Sequence, residues 1–291
     1  MLKITNLNKS YYEKAAVVGV DMELHKGEIC GLIGPNGCGK TTLLKCLAGI
    51  YRADKGEILY DDEPIYDNPV AKVKIAYVSD NQEFIGSYSV KGLLKVYQNF
   101  FPDFSTERFY KLNTLFEINV KKQISNLSRG EKMRLGFMLA LSQGAEYLLL
   151  DEPTGGMDLK AKKQFRDLLI KEMDERGLAV LIVSHDLREL ESLCDKAILM
   201  EGSRIQIQKP LDELMDGVQK WQATAEVELT KEQKKQLGIV EESRVGNLIN
   251  FYTVGDRAEH KKALEAVGLK ELESQKITLE EVVGTLQECQ L

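Results

Sequence analysis

An α/β fold built on a parallel core sheet is what this 291-residue sequence predicts, and three observations predict it. A compact apolar run, Glu28–Ile33, leads straight into the glycine-rich segment Gly34-Pro-Asn-Gly-Cys-Gly-Lys-Thr-Thr42 and then into leucines at helical spacing. Two further apolar runs, Tyr147–Asp151 and Leu178–Ser184, flank a segment whose Ala161, Phe165, Leu168, Leu169 and Met173 share one helical face. Strand, helix and strand in that order require a right-handed crossover and a parallel sheet.

The other elements follow along the chain. Lys3–Tyr12 and Val17–Leu24 read as strands around a polar turn at Glu13-Lys14, giving an antiparallel β subdomain. Leu43, Leu44 and Leu47 define the helix after the glycine-rich segment, with Gly49 as its C-terminal stop. Ile75–Ser79 reads as another buried strand. Residues 84–143 interrupt the α/β alternation with mostly helical patterns, an inserted helical subdomain. Nine aromatic residues fall between Phe84 and Phe116, as a small core, as a docking groove for a partner helix, or as both. Ala197–Met200 and Arg204–Ile207 form a hairpin around Glu201-Gly-Ser203.

Sequence character changes near residue 211. Residues 1–211 are charge-neutral, whereas 212–291 carries the net −6 of the whole chain. Within 212–291, Gln222–Leu229, Ser243–Gly246 and Leu248–Val254 read as strands, and Glu259–Val267 and Thr278–Gln287 as amphipathic helices. A small α+β domain is therefore expected, with Trp221 as an anchor at its entry.

Composition narrows the function classes. At 43% hydrophobic and 29% charged, with 6 prolines, the chain is neither disordered nor fibrous. No apolar run approaches the ~18–20 residues of a membrane span, and Met1-Leu-Lys-Ile-Thr-Asn lacks the apolar stretch of a secretory signal. The five cysteines show neither CxxC pairs nor metal spacing, which fits reduced thiols in a cytosolic protein. No basic excess is available to displace counterions, so nucleic acid is not an expected partner.

Gly34-x-x-x-x-Gly39-Lys40-Thr41 matches a phosphate-binding loop, after a strand and before a helix. Its glycines let backbone N–H groups turn inward as an anion nest, and the following helix adds its positive end. Lys40 supplies a point charge for the β- and γ-phosphates, and the Thr41 hydroxyl suits Mg²⁺. The apolar strand before Asp151-Glu152-Pro153 places two carboxylates at the ligand-facing end of the sheet. Asp151 is expected to orient Mg²⁺ and Glu152 to act as general base on the attacking water. Two acids and a proline also suit a plain helix N-cap.

With those residues in place, residues 1–211 resemble the nucleotide-binding subunit of an ABC transporter. Leu127-Ser128-Arg129-Gly130-Glu131 is similar to that family's LSGGQ signature and stands 20 residues before Asp151. Gly155-Gly156-Met157-Asp158 resembles its D-loop, and Ser184-His185-Asp186 supplies its switch histidine. Each motif has a simpler use as well. Ser128 and Glu131 form a capping box, His185 suits a surface strand end, and Tyr11 suits packing.

The resemblance implies ATP and Mg²⁺ bound by Gly34, Pro35, Asn36, Gly37, Cys38, Gly39, Lys40, Thr41 and Thr42, with Tyr11 stacked on adenine. It implies catalysis by Glu152, His185 and Lys40, and metal contacts from Thr41 and Asp151. It implies a head-to-tail dimer, homomeric or with a second ATPase subunit, in which Ser128 and Gly130 close on the other subunit's nucleotide. A separate integral-membrane permease is implied as partner, with this chain in the cytoplasm at the inner face of the membrane.

Two positions depart from the family pattern. Asp80 stands where a glutamine is usual, with Gln82 two residues on, so that either is a candidate for Mg²⁺. Arg129 replaces a glycine of the signature and is expected to face solvent, or else a phosphate in the partner. The ending Ile277-Thr-Leu-Glu-Glu-Val-Val283 resembles that of ABC-2-type multidrug and antibiotic exporters, which implies export. A soluble single-cassette ATPase, such as an iron–sulfur assembly type, is the competing reading.

Overall fold

The computed structural model describes residues 1–80, 84, 86–225 and 229–289, the side chains of 241 and 242 excepted. It divides into two units, Met1–His185 with Leu193–Gln208, and Asp186–Ser192 with the chain from Lys209 onward.

The first unit opens with β1 (Leu2–Tyr11), β2 (Lys14–Leu24) and β3 (Ile29–Ile33), followed by α1 (Lys40–Leu47). β4 (Lys55–Tyr60), β5 (Glu63–Pro64), α2 (Pro69–Val73) and β6 (Ile75–Val78) lead to the helices α3 (Val90–Phe100), α4 (Thr106–Phe116) and α5 (Arg129–Ser142). β7 (Tyr147–Asp151), α6 (Leu159–Arg176) and β8 (Ala179–Val183) follow. After α7 (Leu187–Leu193), most of which belongs to the second unit, come β9 (Lys196–Glu201) and β10 (Arg204–Pro210).

Two sheets result. An antiparallel one runs in the order β2-β1-β4-β5, and a six-stranded one in the order β10-β9-β3-β8-β7-β6. In the latter, β9, β3, β8, β7 and β6 are mutually parallel. Every residue of β3, β7 and β8 is buried, as expected of parallel strands covered on both faces. The helix predicted between the last two, α6, buries Ala161, Phe165, Leu168 and Leu169 as expected. Met173 is only half-buried, and Glu172 is buried instead.

The inserted segment is helical because its capping residues fall at helix starts. Ser89, Ser105 and Ser128 each accept a backbone N–H from the first turn of α3, α4 and α5. Its aromatics divide between core and surface. Phe104, Phe109 and Phe116 are buried, and Phe116 packs edge-on against Phe137, whereas Phe100 is 73% exposed.

The second unit consists of α7, α8 (Leu211–Asp216), β11 (Val218–Thr224), α9 (Lys231–Gln236), β12 (Ile239–Val245), β13 (Leu248–Val254), α10 (Arg257–Ala266), β14 (Lys270–Gln275) and α11 (Leu279–Glu288). Its antiparallel sheet runs β12-β13-β11-β14. β14 and the short α8 and α9 were not legible in the sequence: Lys-Glu-Leu-Glu-Ser-Gln in β14 has only two partly buried positions and offers little apolar alternation. Part of the expected strand Gln222–Leu229 lies outside the described residues. Trp221 is not an entry anchor. It is 1% exposed inside this unit's own core, opposite Phe251 in the β11–β13 register, and its indole N–H donates to Thr253 Oγ1 at 2.9 Å. The Thr-Leu-Glu-Glu-Val-Val segment forms the start of α11, closed by a Thr278–Glu281 capping box. Its apolar residues Leu279, Val282 and Val283 are buried.

Glu172 is the exception among the apolar positions of α6. Its carboxylate pairs with Arg108 of α4 and, at 3.2 Å, with Arg176 one turn on. Removing the buried partner of two half-buried guanidinium groups is costly. Glu172→Ala is therefore expected to destabilise the protein by about 3 kcal/mol, read as a lowered urea midpoint at unchanged m-value.

Candidate active site

The phosphate loop is shaped by what cannot fit beside it. β3 ends at Ile33 and delivers Gly34 at the carboxyl end of the parallel sheet. A Cβ on Gly34 would lie 2.1 Å from the Met200 carbonyl oxygen, and one on Gly39 would lie 1.9 Å from that of Ala16. Gly39 also caps α1 at φ 111°, a conformation L side chains rarely adopt. Only glycine therefore lets the backbone curl in this space. Lys40 Nζ donates to the carbonyls of Gly34 at 2.7 Å and Pro35 at 3.0 Å, which places its ammonium across the mouth of the loop. The loop opens on a cleft of about 420 Å³.

Two adjacent strands bring the acidic groups to that cleft. β7 and β8 pair in parallel with Asp151 opposite Val183, so the residues just beyond each strand end are neighbours. Asp151 is 4% exposed. Burial pushes its carboxyl above the usual range, hydrogen bonds from the Thr41 and Tyr77 hydroxyls oppose that shift, and the charges of Asp80 and Lys40 act in opposite directions. The Tyr77 hydroxyl donates to Asp151 Oδ2 at 3.3 Å. Glu152 adopts φ 51°, strained for a non-glycine residue, with its N–H held by Val183 O at 2.9 Å. Its Oε2 lies 2.6 Å from His185 Nδ1 and accepts the His185 backbone N–H at 3.3 Å.

The donor set suits Mg²⁺. Thr41 and Asp151 are hard oxygen donors in contact with one another beside the loop, and Mg²⁺ uses one or two such protein ligands together with substrate phosphates. Among the described residues there is no cluster of three His, Cys, Asp or Glu that would cage a metal alone.

The structure gathers Tyr11, Asn36, Gly37, Gly39, Lys40, Thr41, Thr42, Asp80, Asp151 and Glu152 around the cleft. Tyr11 stands at its edge, T-shaped against Tyr51 with ring centroids 5.9 Å apart. Ser128 and Gly130 do not line it. They start α5, where Gly130 packs so closely on the segment after β7 that a Cβ would lie 2.5 Å from the Gly156 carbonyl oxygen. Gln82 lies outside the described residues. Arg129 does not simply face solvent as expected: it pairs with Asp80. The sequence reading missed Tyr77 and Lys14. Tyr77 reaches Asp151 only because β6 pairs with β7, and strand order is not encoded in any local pattern.

The raised pKa of Asp151 fixes two expected outcomes. A folded-state value above the unfolded one means that the native state binds the proton more tightly, so stability falls as pH rises through the interval between them. Asp151→Asn removes that cost, and its thermal midpoint at pH 7 should exceed that of the unmodified chain while Mg²⁺-dependent hydrolysis is lost. Tyr77→Phe deletes a hydrogen bond to the ionised form, so the acid limb of the pH–rate profile should move to higher pH.

Comparison with known proteins identifies the family. The ABC transporter family profile matches residues 17–155. The ABC transporter ATP-binding protein YtrB of Bacillus subtilis is 31% identical over 255 residues, which cover 87% of this chain and 86% of that protein. The spermidine/putrescine import ATP-binding protein PotA of Mesoplasma florum is 30% identical, across 73% of this chain and 62% of its own length. Among solved structures, cbiO1 from Clostridium perfringens, part of the ABC transporter complex cbiONQ, is 29% identical with a TM-score of 0.61, covering 73% of this chain and 89% of that one. A bacterial ABC transporter cassette solved as a dimer, 23% identical, shares the fold with a TM-score of 0.66 across 72% of this chain and 99% of its own. The chain belongs to the ABC transporter ATP-binding protein family and is an ATPase subunit of such a transporter.

Proposed function

We propose that ATP binds in the Gly34–Thr42 cleft and is hydrolysed there to drive a separate membrane permease. The observation that carries the reading is the Glu152–His185 contact at 2.6 Å, formed at the ends of adjacent strands beside Lys40, Thr41 and Asp151. The loop N–H groups and Lys40 bind the phosphates. Thr41 and Asp151 would hold Mg²⁺, which when bound neutralises phosphate charge. Glu152 takes a proton from the attacking water as its oxygen bonds to the γ-phosphorus and the bond to the β-phosphate oxygen breaks, releasing ADP. His185 orients the Glu152 carboxylate through the shared Oε2 contact.

Ser128 and Gly130 lie off their own subunit's cleft, which supports a head-to-tail pair in which each closes on the other's nucleotide. The pair is a homodimer or includes a second ATPase subunit. Glu152→Gln should bind Mg²⁺-ATP, lose turnover by at least about 100-fold, and accumulate as a dimer in light scattering. A monomer at saturating nucleotide would remove the sandwich from the mechanism.

A second surface of the first unit suits the permease. Val73, Tyr77, Tyr97, Phe100 and Phe101 line an apolar groove of about 630 Å³, into which an apolar helix end from a membrane partner fits. No helix among the described residues is long and apolar enough to cross a membrane. The chain would then lie peripherally at the inner face of the membrane. Phe100→Asp should still bind Mg²⁺-ATP yet fail to co-purify with a multi-span protein from detergent-solubilised membranes. Recovery of the unmodified chain with soluble assembly factors alone would support the soluble-ATPase reading instead. The Ile277–Val283 ending supports export and relatives named as importers support import; the co-purified permease identifies the direction.

A further inference from the structure

The cleft is lined by more carboxylates than ammonium groups, although a polyanion is to bind there. Three carboxylates line it, Asp80, Asp151 and Glu152, against two ammonium groups, Lys14 and Lys40. Asp151 is buried and tied to hydroxyls, and Glu152 is tied to His185. Asp80, the third, lines the same cleft without a hydroxyl or histidine partner among the described residues. Its Oδ1 is instead taken by Arg129, reached from outside the cleft lining by the first residue of α5. The segment after β7 lies against the pair: a Cβ on Gly155 would lie 3.4 Å from Arg129 Nη2 and 3.6 Å from Asp80 Oδ1.

Resting on the ATP-site reading above, we infer that Arg129 is a positioning residue that neutralises Asp80 and turns its carboxylate away from the incoming phosphates. The side chains of the pair are 63% and 44% exposed, so it adds little to stability. Its effect is electrostatic and local. Unpaired, Asp80 would repel the triphosphate across a short gap, and paired it does not. Position 80 and position 129 are therefore one unit: an acid at 80 is compatible with nucleotide binding because an arginine stands at 129.

A double-substitution cycle tests this by binding rather than by turnover, with Mg²⁺ and N-methylanthraniloyl-ATP as the probe and thermal midpoints checked for each variant. Arg129→Ala should weaken binding about fivefold, more at low than at high salt. Arg129→Lys should retain most of the affinity. Asp80→Asn should bind at least as tightly as the unmodified chain, and Asp80→Asn with Arg129→Ala should recover to within about twofold of it. If Arg129→Ala cost the same affinity in the unmodified chain and in the Asp80→Asn variant, the inference would be overturned, since Arg129 would then act on something other than Asp80. Lys40→Ala is the independent control: retained probe binding there would remove the ATP-site reading itself, whatever the cycle gives.

Discussion

The carboxylate of Asp151, buried at the end of β7, is the constraint on which the rest of the site depends. A buried acid prefers to be neutral, and a site for a metal-bound polyanion needs it charged. Thr41 and Tyr77 offset part of that cost by donating hydroxyls to the ionised form, although burial still outweighs them. That requires α1 and β6 to converge on β7, and the sheet order β3-β8-β7-β6 with α1 leaving the end of β3 achieves this. The close approaches at Gly34 and Gly39 are part of the same geometry, since they seat the start of α1 against the neighbouring backbone.

Much of this was legible in the sequence because the phosphate loop and the strand before Asp151 are local patterns. The glycines, Lys40 and Thr41 are fixed by spacing within one strand–loop–helix unit, and Asp151 and Glu152 by a strand of unbroken apolar residues. What could not be read depends on which strands lie side by side. Tyr77 is an ordinary strand residue until β6 is known to pair with β7. Glu172 is a charge on a helix until Arg108 of α4 meets it. Asp80 and Arg129 each look like a lone departure from a motif, and only three-dimensional contact makes them a pair.

The second unit was less legible for a related reason. Its strands are short, partly exposed and rich in polar residues, so their two-residue period is weak. Trp221 illustrates the difficulty. A single tryptophan at a composition boundary suggests an interface, yet β11 pairs with β13 so that the indole is enclosed by Phe251, Ile249 and Leu264 and finds Thr253 for its N–H. Burial of this kind follows from register, and register is a property of two strands rather than one.

Among the contacts that tie the helical insertion to the rest of its unit are two ion pairs of opposite character. Arg108–Glu172 joins α4 to α6 with a carboxylate that is almost wholly buried, so breaking it leaves a buried charge with Arg176 alone to balance it. Asp80–Arg129 joins the start of α5 to the cleft edge with both side chains well exposed, so its partners exchange at small cost in free energy. One attachment is thus costly to break and the other exchangeable, and the exchangeable one is at the edge of the cleft.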